Sequence, residues 1–172
     1  MKRIMIALFS LALATLIGCA SVNFDRTQTY DGVSWKISSQ WVETADDMNI
    51  DGFQTFNYTN MVNQGADNPS DYKRYLRVMF SDFETGNSAK SYMDDLAASA
   101  REDGVIVEYG LLDDYVKDNA QVSVYEYKEQ EEGQEEYSDY TAFVVKPGVL
   151  FMEINSPDKS ILDAVLDSVT VS

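Results

Sequence analysis

Apolar and polar residues recur with changing periods along the chain, and each period predicts a type of element. Strict alternation over residues 33–37, after a turn at Asp31-Gly32, predicts a half-buried strand. Residues 53–58 and 75–80 have the same character and are predicted to form the next two strands. Between them, residues 59–74 are rich in Asn, Asp, Gly and Pro, which predicts a long loop.

The middle of the chain changes to the period of an α-helix. Asn87 or Ser88 can cap a helix over residues 88–102 that ends at Asp103-Gly104, and a strand is predicted over residues 105–112. The helix is predicted to bury the residues that recur at helical spacing, which are Ala89, Tyr92, Met93, Leu96, Ala97 and Ala100.

The last third of the chain predicts an antiparallel meander and a second helix. Residues 122–128 are predicted to pair with residues 137–146 across a hairpin tip at 129–136, and Pro147-Gly148 turns the chain into a strand over 149–155. Ser156-Pro157 is predicted to cap and open the second helix, and residues 168–171 to add a short strand. The apolar stripe of that helix is Ile161, Leu162, Val165 and Leu166.

The sequence contains no internal repeat and no second set of core positions. Residues 30–172 are therefore predicted to form a single α+β domain, in which helices pack on the faces of an antiparallel β-sheet. One core is predicted, formed by Trp35, Leu76, Val78, Phe80, Leu96, Met152, Ile154, Val165 and Leu166.

The N-terminal residues have a different pattern from the rest of the chain. Lys2 and Arg3 are followed by an uncharged, mostly apolar run over residues 4–17, and a small residue, Gly18, ends it. The run is shorter than the roughly 20 apolar residues of a membrane-spanning helix. Residues 1–18 are therefore predicted to be a secretion signal peptide.

The end of this signal, Leu16-Ile17-Gly18-Cys19, resembles the bacterial lipobox. The resemblance implies that the Cys19 thiol receives a diacylglycerol and that the chain is cut between Gly18 and Cys19. The alternative is an ordinary signal peptide with a stray thiol, but Cys19 is the only cysteine in the sequence. Residues 19–29 are predicted to be the lipidated cysteine and a short polar tether.

Composition narrows the possible functions. The chain has 29 acidic against 13 basic residues, a net charge of −16, so nucleic acid is excluded as a partner. The sequence has no histidine, which excludes Ser-His-Asp and Cys-His catalysis and imidazole metal sites. Carboxylate, hydroxyl, lysine and tyrosine chemistry remains, and we expect no cofactor and no metal.

Two groups of residues are candidates for binding a protein partner. Five glutamates surround Gly133 in the hairpin tip, where a solvated loop, a calcium site and a docking surface for a basic partner are alternatives. The tyrosines beside the tip can form either an exposed binding patch or cross-strand packing pairs. The candidate partner surface comprises Tyr125, Tyr127, Tyr137, Tyr140, Glu131, Glu132, Glu135 and Glu136.

Adjacent acidic residues offer an enzymatic alternative. They occur at Asp46-Asp47, Asp94-Asp95 and Asp113-Asp114, and two carboxylates at the right separation can hydrolyse a glycosidic bond. Asp94 and Asp95 are predicted to lie on the outer face of the helix. A carboxylate-based envelope hydrolase is therefore kept as the second hypothesis, and no catalytic residue is assigned.

The order of elements resembles the Mog1/PsbP-like fold. The matching stretches are residues 30–37 running to Trp41, the helix over 88–102, and the ending from residue 149 through Ser156-Pro157 to Ser168-Val169. The family often has a proline before the second aromatic, where this chain has Ser39-Gln40. The resemblance implies an antiparallel sheet with helices on its faces and a non-catalytic accessory role, but no photosystem-binding or Ran-binding motif matches residue by residue.

Together these features predict an exported protein held outside the cytoplasm by the lipid on Cys19, in the cell membrane or the outer membrane. Its expected role is binding or accessory, with an envelope protein as the possible partner.

Overall fold

The computed structural model describes residues 23–44, 53–60, 74–81, 88–102, 104–130 and 136–172, which form ten strands and two helices. The helices are α1 (Ala89–Glu102) and α2 (Lys159–Ser168). The strands are β1 (Phe24–Tyr30), β2 (Val33–Ser38), β3 (Trp41–Thr44), β4 (Phe53–Asn60), β5 (Arg74–Ser81), β6 (Ile106–Lys117), β7 (Ala120–Gln130), β8 (Tyr137–Lys146), β9 (Leu150–Ser156) and β10 (Thr170–Val171).

Seven strands form one antiparallel sheet in the order β3-β4-β5-β9-β8-β7-β6, and β1, β2 and β10 form a smaller sheet. The predicted meander is confirmed, because β7 pairs with β8 and β8 with β9. The predicted fold class, an α+β domain with helices packed on the faces of an antiparallel sheet, is confirmed as well.

Alternation along the strands gives the large sheet two buried faces. On β8, Ala142 and Val144 pack on the α2 side, whereas Phe143 packs on the α1 side. The prediction of one core is therefore corrected to two apolar clusters on opposite faces. Of the predicted core, the α2 side holds Trp35, Leu76, Val78, Phe80, Met152, Ile154, Val165 and Leu166.

Leu96 was predicted to lie in the core, and this prediction is wrong. Its exposed fraction is 39%, whereas Met93 and Ala97 on the same helix are fully buried. Ala89, Met93 and Ala97 are four residues apart and align along the face that meets the sheet. Leu96 lies about 100° around the helix from Ala97 and misses that face.

The predicted tether ends earlier than residue 29, because Phe24–Tyr30 forms β1 and pairs with β2. The Phe24 ring packs edge-on against Trp41 with centroids 5.6 Å apart. Asp25 accepts hydrogen bonds from the Ser39 backbone N–H at 2.8 Å and from its hydroxyl at 3.0 Å. The sequence does not show the apolar and polar alternation typical of a strand here, because the half-buried positions after Phe24 are the polar residues Arg26 and Gln28.

Strand β6 runs to Lys117, five residues beyond its predicted end. Asp118 and Asn119 both have positive φ, 51° and 61°, which is the backbone of a two-residue type I′ hairpin turn. This tight turn lets β6 and β7 pair from one end to the other, so both strands are longer than predicted. Aspartate and asparagine tolerate that conformation better than other side chains do, so the dipeptide was a usable signal.

The second helix begins at Lys159, and its N-cap is Asp158 rather than Ser156. The Asp158 carboxylate accepts from the Ser160 backbone N–H at 2.8 Å, while Ser156 is the last residue of β9. Of the predicted loop over 59–74, the ends belong to β4 and β5, and the rest lies outside the described residues. Within the described residues, no helix has the length and apolar character needed to cross a membrane.

Candidate functional site

Tyr125 and Tyr127 do not lie on the surface. Their exposed fractions are 5% and 8%, because α1 covers the sheet above them. The Tyr125 ring contacts Tyr109 and Phe143 at centroid distances of 6.1 and 6.0 Å. Burial raises the pKa of both phenols. These two tyrosines are therefore packing residues, and the prediction that they form part of an exposed binding patch is wrong.

Tyr137 and Tyr140 lie on opposite faces of β8. Tyr137 is 42% exposed and donates a hydrogen bond to Asp139 Oδ2 at 3.0 Å. Tyr140 is half-buried, opposite Glu126, and packs against the apolar cluster of the α2 side. The four tyrosines are therefore not brought together in one surface.

The acidic hairpin tip is described only in part. Glu136 is exposed, while Glu131, Glu132 and Glu135 lie outside the described residues, as do Gly18 and Cys19. Lys128 lies 3.6 Å from Glu126 on its own strand, in a pair that is partly exposed on both sides.

The described acidic pairs do not converge. Asp113 faces Val124 across the ladder and Asp114 faces Ser123, so the two carboxylates lie on opposite faces of the sheet. Asp94 and Asp95 are exposed on α1, as predicted. A hydrogen bond from Lys90 and another from Tyr109 lower the pKa of Asp94. Among the described residues, no group of three or more potential ligands is placed to hold a metal ion.

A row of polar side chains crosses β4, β5, β9 and β8 on the α1 side of the sheet. Arg77 Nε donates to Asn57 Oδ1 at 3.2 Å, and Asn155 Nδ2 donates to Thr141 Oγ1 at 2.9 Å. Register places Arg77 opposite both Asn57 and Asn155. The sequence does not reveal this row, because single polar residues in apolar strands resemble solvent-facing positions. The paired groups explain how polar atoms are buried there, and they fix strand register.

Nearby, on the same side, Glu153 is 5% exposed. The pKa of Tyr92 is raised first by burial and then by the charge of Glu153. This carboxylate and phenol extend the polar layer beneath the start of α1.

Strand β6 forms one edge of the large sheet, and in the described part of the chain β7 is its only strand neighbour. A bulge between Leu111 and Asp113 interrupts the pairing with β7. Leu111, Leu112 and Val116 are 55%, 46% and 69% exposed. We call residues 111–117 the β6 edge. It presents apolar side chains beside the backbone donors and acceptors that an edge strand leaves open.

On its α2 side the β6 edge borders a groove of about 580 Å³. Asp113, Tyr115 and Lys117 alternate along the strand and supply one wall, and α2 supplies the other. The lining residues are Asp113, Tyr115, Lys117, Val124, Lys159, Asp163, Leu166 and Asp167.

The groove is acidic. Lys117 Nζ donates to the carbonyls of Leu166 and Asp167 at 2.6 and 2.8 Å, at the C-terminal end of α2. Lys159 pairs with Asp163 at 2.7 Å. Burial raises the pKa of the Tyr115 phenol, and the charges of Asp113, Asp167 and Asp163 raise it further. Both lysines are thus engaged, and three aspartates against two lysines leave the lining with a formal net charge of −1.

No protein-family model matches the chain, and none of the curated proteins compared with it matches either. Among solved structures, the solution structure of cyanobacterial PsbP (CyanoP) from Synechocystis sp. PCC 6803 is similar to it. The two are 15% identical, with a TM-score of 0.58 over 91% of this chain and 99% of that chain. At this identity the likeness shows the fold and transfers no site residue. The chain has a PsbP-like fold.

Proposed function

We propose that this protein is a lipid-anchored accessory protein of the bacterial cell envelope, which binds a protein partner outside the cytoplasm and has no catalytic role. The PsbP-like fold supports the accessory role. The similar solved structure is a cyanobacterial PsbP, and resemblance to the Mog1/PsbP-like fold implies a non-catalytic accessory protein. The lipobox-like sequence ending in Gly18-Cys19 supports export and lipidation.

The observation that carries the proposal is where the folded domain begins. β1 starts at Phe24, five residues after Cys19. Five extended residues span at most about 18 Å. Phe24 and Asp25 are held against Trp41 and Ser39, so the predicted lipid attachment leads almost directly into the sheet. A partner must therefore be reached close to the membrane.

The lipid accounts for membrane attachment better than the protein surface does. Each buried CH₂ of an acyl chain contributes about 0.8 kcal/mol, and two chains anchor a protein stably. Removal of residues 1–18 takes away Lys2 and Arg3 and changes the net charge from −16 to −18, so anionic headgroups repel the surface. Attachment is expected to depend on Cys19 alone.

The test is metabolic labelling with an alkyne-tagged palmitate, followed by fractionation of the envelope. Wild type should take up the label and sediment with membranes, and Cys19→Ser should do neither. The matched control is the double variant Cys19→Ser, Thr27→Cys, which restores a thiol at an exposed position on β1. It should stay unlabelled, because lipidation requires the sequence before the cysteine and not merely a thiol.

Two results would reject the proposal. One is a Cys19→Ser variant that still takes up label and still sediments with membranes. The other is wild-type protein recovered from the cytoplasmic fraction without label.

A further inference from the structure

We propose that the β6 edge accepts an extended segment of the partner protein as an additional strand, and that this segment alternates basic and apolar side chains. The proposal rests on the proposed function, in which the domain binds a protein partner, and it identifies the surface and the chemistry that the partner must have.

The β6 edge offers backbone groups and apolar side chains to an added strand. β6 ends the order of the large sheet, so its outer side has no strand neighbour in the described part of the chain. Leu111 and Val116 lie opposite Tyr125 and Gln121 on the α1 side of the sheet, where they remain 55% and 69% exposed. An added strand would bury these exposed side chains and satisfy the edge backbone.

The groove determines which side chains the added strand must carry on its other face. Side chains of an added strand alternate between faces, so those opposite the apolar ones would point toward Asp113, Asp163 and Asp167. Cationic side chains fit there, because the carboxylates outnumber the two engaged lysines and the half-buried Tyr115 ring can contact a cation. Charge complementarity thus selects a basic segment.

The start of β6 is less suited to strand addition. α1 packs over it, and Arg101 donates to the carbonyl of Val107 at 3.0 Å. Tyr109 is engaged there as well, in a hydrogen bond to Asp94. The accessible segment is therefore the part after the bulge, together with Leu111 and Leu112.

A second copy of this chain is a poorer occupant than a basic segment. Pairing two β6 edges would bring Asp113 and Asp114 of each copy toward the acidic edge of the other. Each copy also carries a net charge of −16 in the full sequence and −18 without Lys2 and Arg3, which repels an identical partner.

The experiment uses the full chain in neutral detergent micelles, where the result does not depend on whether Cys19 is acylated. The probe is a fluorescent peptide of alternating lysine and valine, as long as residues 111–117, and a glutamate-valine peptide is its control. Binding is followed by fluorescence anisotropy, and amide hydrogen exchange locates the site. The lysine-valine peptide should bind, slow exchange along residues 111–117, and dissociate as salt is added.

Two matched pairs of variants separate specific strand addition from general attraction to an acidic protein. Val116→Lys should weaken binding by about tenfold or more, because it replaces an apolar contact with the valines of the peptide and adds a like charge beside a cationic peptide. Val149→Lys changes a residue of similar exposure, 63%, in the turn before β9 and should leave affinity unchanged. Asp167→Asn should weaken binding severalfold, whereas Asp95→Asn on α1 should not.

The proposal is overturned if the peptide does not bind, if exchange slows elsewhere, or if Val116→Lys and Val149→Lys behave alike. It is also overturned if sedimentation shows a dimer that Val116→Lys dissociates, since the edge would then serve a second copy. None of these outcomes changes the labelling result for Cys19, so failure of this inference and failure of the proposed function are distinguishable.

Discussion

Met93 and Leu96 are apolar residues on the same helix, and the sheet covers only one of them. Met93 is fully buried against Phe143 and its neighbours, whereas Leu96 is 39% exposed. Met93→Ala should lower the free energy of unfolding by roughly 2–5 kcal/mol, because it leaves a cavity. Leu96→Ala should cost less than about 1 kcal/mol, as surface substitutions do. Urea denaturation of both variants checks this, and equal losses would contradict the helix orientation.

At the start of the domain, the protonation of Asp25 makes the stability of the fold depend on pH. The hydrogen bond from the Ser39 backbone N–H, assisted by its hydroxyl, lowers the pKa of Asp25 below its ordinary value of 3.8. A lowered pKa means that Asp25 contributes stability above pH 3.8, and that this is lost as the pH falls through the folded-state pKa.

An NMR titration of the Asp25 carboxyl carbon should therefore give a midpoint below 3.8. Ser39→Ala removes one of the two donors and should move the midpoint upward. A wild-type midpoint at or above 3.8 would show that β1 is not held to the β2–β3 turn in this way.

Among the elements, the stability of α2 depends on the N-cap at its start and on the charge at its end. Asp158 accepts from the Ser160 backbone N–H and hydroxyl at 2.8 and 2.7 Å. Asp158→Ala should cost about 1 kcal/mol of stability. Asp167→Ala, at the other end of the same helix, should leave stability unchanged or slightly higher, because a negative charge opposes the helix dipole there. Thermal unfolding distinguishes them, and the reverse order would reject Asp158 as the cap.

Strands and helices could be predicted where apolar residues recur with the period of the element, and were harder to predict where polar residues occupy the inward positions. β2, β5 and β9 alternate strongly and were predicted, whereas β1 was missed because its half-buried positions include Arg26 and Gln28. The helical period predicts the bounds of α1 but does not show which side of the helix the sheet covers. Leu96 was therefore predicted to be buried, although it is exposed. Strand order is set by tertiary pairing, so the β6 edge and its groove emerge only from the folded structure.

For the molecule as a whole, the excess of acidic residues is expected to serve solubility more than stability. Changing Glu131, Glu132, Glu135 and Glu136 to glutamine removes four of the 29 acidic residues. The free energy of unfolding should stay unchanged or rise by less than about 1 kcal/mol, since repulsion between exposed charges is weak. Calcium should not raise the melting temperature of either protein, whereas a rise of several degrees confined to wild type would reveal a calcium site.

The mass of the N-terminal peptide is the sharpest test of the proposal that Cys19 anchors the domain to a membrane. Protein purified from its native envelope would be digested and analysed by mass spectrometry. Residues 1–18 should be absent, and the first residue should be Cys19 carrying a diacylglycerol. An N-terminal peptide that begins elsewhere, or one that begins at Cys19 with an unmodified thiol, would contradict it.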